Sequence, residues 1–221
     1  MMYRRVIPIA TILLVVANIL CYLYEAHVGV ALIAVRYAMY QGAIENGQYL
    51  RTIFCAFMHF DVIHLLSNML CLLIYGLLLE RSIGSWRFLV IYGVSMICSS
   101  LLVNFFGGNG LHMGASGAIW GLMTAMLVYN LKNHLSPYYA FRGIIVNLIY
   151  SFSAGVSWQG HIGGGIGGLL IALVLFRSAP VYANQYVVYN NSQQKLSGGF
   201  WKRKSKNQDY VEYPNDGRYH P

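Results

Sequence analysis

Long apolar stretches alternate with short polar segments over the first 177 residues of the chain. Six of these stretches approach the roughly 20 residues that an α-helix needs to cross about 30 Å of hydrocarbon. They cover about residues 6–24, 62–79, 88–105, 116–131, 141–157 and 159–176. The pattern predicts an all-α membrane protein, in which residues 1–177 form a bundle of six transmembrane helices.

Composition and charge placement agree with this prediction. Of the 221 residues, 57% are hydrophobic and 10% are charged, which is too little charge to cover a water-soluble domain. The net charge of +8 would suit nucleic acid, but six crossings place thirteen of the fifteen Lys and Arg on one side and only Arg36 and Arg51 on the other. Such a bias marks the cytoplasmic side of a membrane protein. We therefore expect a multi-pass protein with both termini cytoplasmic, the lipid bilayer as its surroundings, and no nucleic-acid partner.

Two long segments lie outside the predicted spans. Residues 26–61 are apolar and aromatic but are interrupted by "QGAIENGQ", which predicts a large outer loop that lies partly in the membrane interface. Residues 178–221 are rich in Ser, Asn, Gln, Tyr and Lys, and we expect a disordered, basic cytoplasmic tail. Its "WKRK" cluster fits contact with anionic lipid head groups or a stop-transfer role equally well. The four cysteines show no paired spacing and are interpreted as packing residues.

A few polar residues lie within the apolar spans, where they are costly and require an explanation. His64 and Asn68 fall on the second span, Ser116 begins the fourth, and His161 begins the sixth. The predicted orientation places all four toward the outer side. His64 and Asn68 are spaced i, i+4 and so share one helix face. They could donate hydrogen bonds to an oxyanion, or they could tie the second span to its neighbours.

Glycines accompany both the serine and the second histidine. Ser116 lies in "MGASGAIWG", which includes Gly114, and His161 opens "HIGGGIGG", in which Gly164 and Gly168 lie on the face of the histidine. A GxxxG face lets two helices approach closely, and packing against the fourth span would bring His161 beside Ser116. A neutral imidazole is suited to take the proton of a serine nucleophile. The alternative is a small-residue packing face with an incidental serine.

The placement of acidic residues excludes several classes of catalytic site. All seven Asp and Glu fall in loops, at span ends or in the tail, so a serine hydrolase here would use a Ser-His dyad without a carboxylate. An aspartyl protease of the membrane would need two aspartates within spans, and a zinc protease would need an H-E-x-x-H helix. A metal cluster of His59, His64, His112 and His161 is disfavoured because no acid or thiol accompanies them in sequence. No metal and no cofactor are expected.

Four separated motifs in order resemble those of the rhomboid intramembrane proteases, over about residues 48–173. They are "YLRTIFCAFMHFDVIHLLSNM", with its H-x-x-x-x-H-x-x-x-N spacing, "LLERSIGSWRF", "GASGAIWG" and "HIGGGIGG". The chain departs from the family at Tyr49, where Trp is usual, and at Gly160, where Ala is common.

The resemblance implies roles for individual residues. Ser116 would be the nucleophile and His161 the general base. His64, Asn68 and the backbone N–H of Ser116 would form the oxyanion hole. Trp120 takes the place of an aromatic residue, more often Tyr, that stacks on the catalytic histidine.

The resemblance also implies a function. The protein would be a serine endopeptidase that cleaves transmembrane helices of other membrane proteins near their extracytoplasmic end through an acyl-enzyme. The compact six-span form resembles bacterial members, which implies a bacterial plasma membrane. Two alternatives are a catalytically silent rhomboid-like protein that binds or escorts membrane helices, and a channel for small polar solutes lined by His64, Asn68 and His161.

Overall fold

The structure is a computed structural model in which residues 7–151 and 157–177 are described, without the side chain of Tyr150. The described residues form eight α-helices and one 3₁₀ turn, and their only β-type pairing is an isolated bridge between Met39 and His112. The helices are α1 (Ile9–Val28), α2 (Val30–Tyr37), α3 (Arg51–Phe54), α4 (Val62–Ile83), α5 (Ser85–Phe106), α6 (Ser116–Lys132), α7 (Tyr138–Ser151) and α8 (Trp158–Leu175), with the 3₁₀ turn at Cys55–Phe57 between α3 and α4. The predicted tail, 178–221, and its lipid contact lie outside the described residues.

The all-α membrane architecture predicted from the apolar pattern is confirmed. Four helices, α1, α4, α5 and α8, are long and apolar enough to cross a membrane. The other two predicted spans fall on α6, with 17 residues, and on α7, with 14. The chain is therefore an integral membrane protein built from a helical bundle.

Two predicted helix starts differ from the structure at a proline. The first helix begins at Ile9 after Pro8 and continues to Val28, whereas the predicted span covered 6–24. The fifth span was predicted to begin at 141, but α7 begins at Tyr138, directly after Pro137. Proline has no backbone N–H to donate and a fixed φ, so it suits the start of a helix. Residues 152–156 of the fifth predicted span lie outside the described part of the chain.

Side-chain caps define where two of the spanning helices begin. Asp61 precedes α4, and its Oδ1 accepts a hydrogen bond of 2.8 Å from the backbone N–H of His64. Ser157 precedes α8, and its Oγ accepts one of 3.3 Å from the N–H of Gly160. Each cap satisfies a donor that the first turn of a helix leaves free. The caps thereby place His64 and His161 in the first turns of their helices.

Helix α8 contacts α5 through two glycines, Gly163 and Gly167. A Cβ atom at Gly163 would lie 2.6 Å from the carbonyl oxygen of Cys98, and one at Gly167 would lie 2.7 Å from the Cβ of Cys98. Ordinary contact needs about 3.4 Å or more, so α8 and α5 approach closely because neither glycine has a side chain. The GxxxG pattern predicted a glycine face toward the fourth span, whereas this second face toward α5 was not predicted.

Two sets of polar contacts, a buried one at Glu80 and a partly exposed one at Arg51, hold α1 and the outer loop in place. Glu80 of α4 is fully buried, and its carboxylate accepts hydrogen bonds from the backbone N–H groups of Ala10 and Thr11 at 3.0 and 2.7 Å. Arg51 donates to the carbonyl oxygens of Ala38 and Val35 at 2.5 and 2.7 Å. The buried carboxylate of Glu80 needs such partners, because an unpaired charge is costly to bury. Together these contacts join α1 to α4 and close the loop over 26–61 on itself.

Candidate active site

The serine and histidine singled out by sequence meet in the structure. Ser116 is the first residue of α6 and is half-buried, and His161 lies in the first turn of α8 and is 5% exposed. Nε2 of His161 lies 2.9 Å from Oγ of Ser116, which is hydrogen-bonding distance. An alcohol and an imidazole are thus paired in a mostly buried setting at the start of two helices.

Glycine pairs on α6 and α8 make this approach possible. A Cβ built at Gly164 would lie 1.8 Å from the carbonyl oxygen of Gly117, and one at Gly168 would lie 2.2 Å from that of Gly121. The two backbones therefore touch at two successive turns. This is the close packing expected of a GxxxG face, and it lies one turn below His161.

His64 and Asn68 converge on the residue two positions before the serine. A Cβ built at Gly114 would lie 2.7 Å from Cε1 of His64 and 3.4 Å from Nδ2 of Asn68. Gly114 has a φ of 132°, a conformation that residues with side chains rarely adopt. Glycine at this position therefore leaves space beside Ser116 that both polar side chains border.

Hydrogen-bond donors around that space are unpaired. Asn68 is 6% exposed, and its Nδ2 is buried with no hydrogen-bond partner among the described residues. Ser116 is the first residue of α6, so the helix itself offers no acceptor for its backbone N–H. The positive end of the α6 dipole points the same way. The arrangement can stabilise negative charge that develops on an oxygen beside Ser116.

Trp120 lies one turn after Ser116 on α6 and stacks on the histidine ring. The ring centroids are 5.5 Å apart and the planes are inclined by 21°. Trp120 is itself buried, with 6% of its surface exposed. The stack restricts how far the imidazole plane can tilt.

One contact, on the far side of the imidazole, was not predicted from the sequence. Oγ of Ser151, the last residue of α7, lies 2.6 Å from Nδ1 of His161, and the pair is buried. The same Oγ lies 2.7 Å from the carbonyl oxygen of Asn147. A lone serine in an apolar helix carries no pattern that marks it. The available signal was indirect, namely that a histidine without a carboxylate needs a neutral partner.

The other two histidines considered for a metal cluster, His59 and His112, have contacts of their own. Nε2 of His112 lies 2.9 Å from the carbonyl oxygen of Gly107. The ring of His59 is fully buried, and its centroid lies 5.1 Å from that of His64. Among residues 7–151 and 157–177, no group of three or more His, Cys, Asp or Glu side chains is placed to hold a metal ion.

Comparison with known proteins adds an independent line of information. A family model described as the Rhomboid domain matches residues 46–178. The chain is 33% identical over 165 residues to RHOMBOID-like protein 1 of Arabidopsis thaliana, a match that covers 71% of this chain and 41% of that protein. It is 35% identical over 139 residues to Rhomboid protease GluP of Bacillus subtilis, covering 60% of this chain and 27% of the relative. It is 28% identical over 160 residues to Rhomboid-type serine protease 2 of Emericella nidulans, covering 69% and 32%. The chain thus spans less than half the length of these relatives.

Proposed function

Because the chain belongs to the rhomboid family, we propose that it is an intramembrane serine endopeptidase with Ser116 as nucleophile and His161 as general base. The observation that carries the proposal is the 2.9 Å contact between Oγ of Ser116 and Nε2 of His161. Two relatives named as proteases, from Bacillus subtilis and Emericella nidulans, support the same class of activity.

The proposed reaction is acyl transfer to the serine. Oγ of Ser116 attacks the carbonyl carbon of the scissile peptide as its proton passes to Nε2 of His161. The resulting oxyanion accepts hydrogen bonds from Nδ2 of Asn68, from His64 and from the N–H of Ser116. The C–N bond then breaks, and the imidazolium gives its proton to the leaving amine. Water hydrolyses the acyl-enzyme through the same base and restores the free hydroxyl.

The proposed substrates are transmembrane helices of other proteins, cut toward the extracytoplasmic side. A helix hides its carbonyl groups in internal hydrogen bonds, and each such group costs several kcal/mol to expose in hydrocarbon. Segments with weak helix propensity, such as those that contain glycine, should therefore be preferred. The positive-inside bias supports cytoplasmic termini, and fusion of topology reporters to each end tests that orientation. The bacterial plasma membrane stays a prediction from the family resemblance.

Cleavage of a single-span substrate in liposomes tests the proposal. We expect Ser116→Ala and His161→Ala each to abolish cleavage, and Ser95→Ala to retain it. Ser95 is a matched control because it is a buried serine of α5 whose Oγ donates to the carbonyl oxygen of Ile91, whereas the described hydrogen bonds of the His161 ring go to Ser116 and Ser151. Thermal unfolding in detergent establishes that the inactive variants remain folded. Cleavage by either inactive variant would refute the dyad.

A fluorophosphonate probe separates the enzyme from the alternatives. It reacts with an activated serine, so the wild-type chain should be labelled and Ser116→Ala should not. A catalytically silent protein that binds membrane helices would bind the substrate but remain unlabelled. A channel would pass small polar solutes across liposomes, and that flux would survive Ser116→Ala.

A further inference from the structure

We propose that Ser151 is a positioning residue that holds His161 in the tautomer with its proton on Nδ1, so that Nε2 is free to act as a base. The inference deepens the proposed function, because it assigns to a hydroxyl the task that a carboxylate performs in soluble serine proteases. It rests on the direction of two hydrogen bonds around a single oxygen.

The direction of each hydrogen bond follows from which atoms can donate and which can only accept. The hydroxyl of Ser151 has one proton, and its Oγ lies within hydrogen-bonding distance of the Asn147 carbonyl at 2.7 Å and of Nδ1 of His161 at 2.6 Å. A carbonyl oxygen only accepts, so the contact with Asn147 uses the serine proton. Oγ must then accept at its other contact, and Nδ1 of His161 must carry a hydrogen.

The opposite hydrogen-bond direction, in which Ser151 donates to Nδ1 of His161, would place two acceptor atoms against each other. If Ser151 donated to Nδ1, its oxygen would face the carbonyl oxygen of Asn147 at 2.7 Å with no hydrogen between them. Two acceptors at that distance in a buried site are unfavourable. Nε2 would also carry the ring proton and could not accept the proton of Ser116. The observed geometry thus favours the tautomer that the proposed chemistry needs.

Other neighbours of the ring do not select the tautomer. Trp120 stacks on the face of the imidazole and restricts its plane, but a stacking ring does not distinguish Nδ1 from Nε2. In the described residues the ring nitrogens of His161 hydrogen-bond to two hydroxyls, those of Ser116 and Ser151. Because Ser151 lies on α7, the tautomer of the base depends on the position of that helix, whose other described side chains make no hydrogen bond to the ring.

The tautomer can be measured directly by long-range ¹H–¹⁵N NMR on histidine-labelled protein in detergent, at mildly alkaline pH. The His161 signals are assigned by their loss in His161→Ala. We expect Nδ1–H in the wild type, a mixture with substantial Nε2–H in Ser151→Ala, and Nδ1–H again in Ser151→Thr, which restores a hydroxyl. Ser95→Ala loses the same type of hydrogen bond to a carbonyl four residues earlier and should leave the His161 signals unchanged. An unchanged tautomer in Ser151→Ala would refute the proposal.

Kinetics provide the second measurement. We expect kcat for substrate cleavage to fall about tenfold in Ser151→Ala with KM nearly unchanged, which is the size of effect that one lost hydrogen bond produces. The rate of fluorophosphonate labelling should fall in parallel, and Ser151→Thr should recover both. Equal kcat values for Ser151→Ala and the wild type would overturn the proposal. If the wild type itself neither cleaves nor labels, the proposed function fails, while the NMR result still decides whether Ser151 sets the tautomer.

Discussion

Two adjacent glycines of α8 allow a sharp test of how helix packing creates the site. A Cβ added at Gly164 would lie 1.8 Å from the carbonyl oxygen of Gly117 and 2.5 Å from its carbonyl carbon. A Cβ added at Gly165 would meet only Thr124 at 3.5 Å and Trp120 at 3.6 Å, which are ordinary contacts. Both substitutions therefore add the same methyl group. In Gly164→Ala it clashes with the backbone of Gly117, whereas in Gly165→Ala it makes only ordinary contacts.

The expected magnitude follows from these distances. Ordinary contact begins at 3.4 Å, so the added methyl of Gly164→Ala, at 1.8 Å from a backbone oxygen, is far too close. A backbone carbonyl cannot rotate away as a side chain can, so α6 and α8 must separate. The 2.9 Å contact between Ser116 and His161 then stretches beyond hydrogen-bonding reach. A misplacement of about 1 Å can cost roughly 100-fold in rate, and overpacking costs about 1–3 kcal/mol of stability.

The assay compares the two variants side by side. We expect Gly164→Ala to lose at least about 100-fold in cleavage rate and in fluorophosphonate labelling, and to unfold at lower temperature in detergent. Gly165→Ala should keep its activity and gain up to about 1 kcal/mol, since alanine is the better helix former. If Gly164→Ala cleaved as fast as Gly165→Ala, the claim that backbone contact between α6 and α8 creates the site would be wrong.

Two further predictions concern the polar residues near the serine. Asn68→Ala should lower kcat by roughly 10²–10³-fold, as the loss of an oxyanion donor does. Its unfolding temperature should be unchanged or raised, because the buried Nδ2 has no hydrogen-bond partner to lose. A variant as active as the wild type would exclude Asn68 from the oxyanion hole. Burial, together with the nearby His64, lowers the pKa of His59 to about 3. The unfolded chain therefore binds more protons between that value and the ordinary pKa of about 6.5, so stability should fall as pH falls through this range. His59→Gln should flatten that dependence in acid-unfolding measurements, and an equally steep curve for the variant would refute the assignment.

Much of the fold was predictable because it depends on local pattern. Membrane-spanning helices are encoded by continuous apolar runs, and α4 and α6 begin at Val62 and Ser116 as predicted. The differences in α1 and α7 arise where a proline shifts a helix start by three residues. The candidate site was also marked in sequence, because histidines within apolar runs are few and stand out, and because the family resemblance singled out Asn68 and Ser116.

The sequence by itself determined the helices of the six apolar runs, the family resemblance and the residue types available for chemistry, whereas α2 and α3 lie in the segment 26–61 that was predicted as a loop. Only the tertiary structure decided which atoms meet. Ser151 lies ten residues before His161 with nothing in its spacing to connect them, and the second glycine face of α8, at Gly163 and Gly167, is visible only against α5. The physical reason is that hydrogen bonds and close backbone contacts depend on distances of a few tenths of an ångström between separate helices. Local pattern specifies each helix, and the packing of small residues between helices sets those distances.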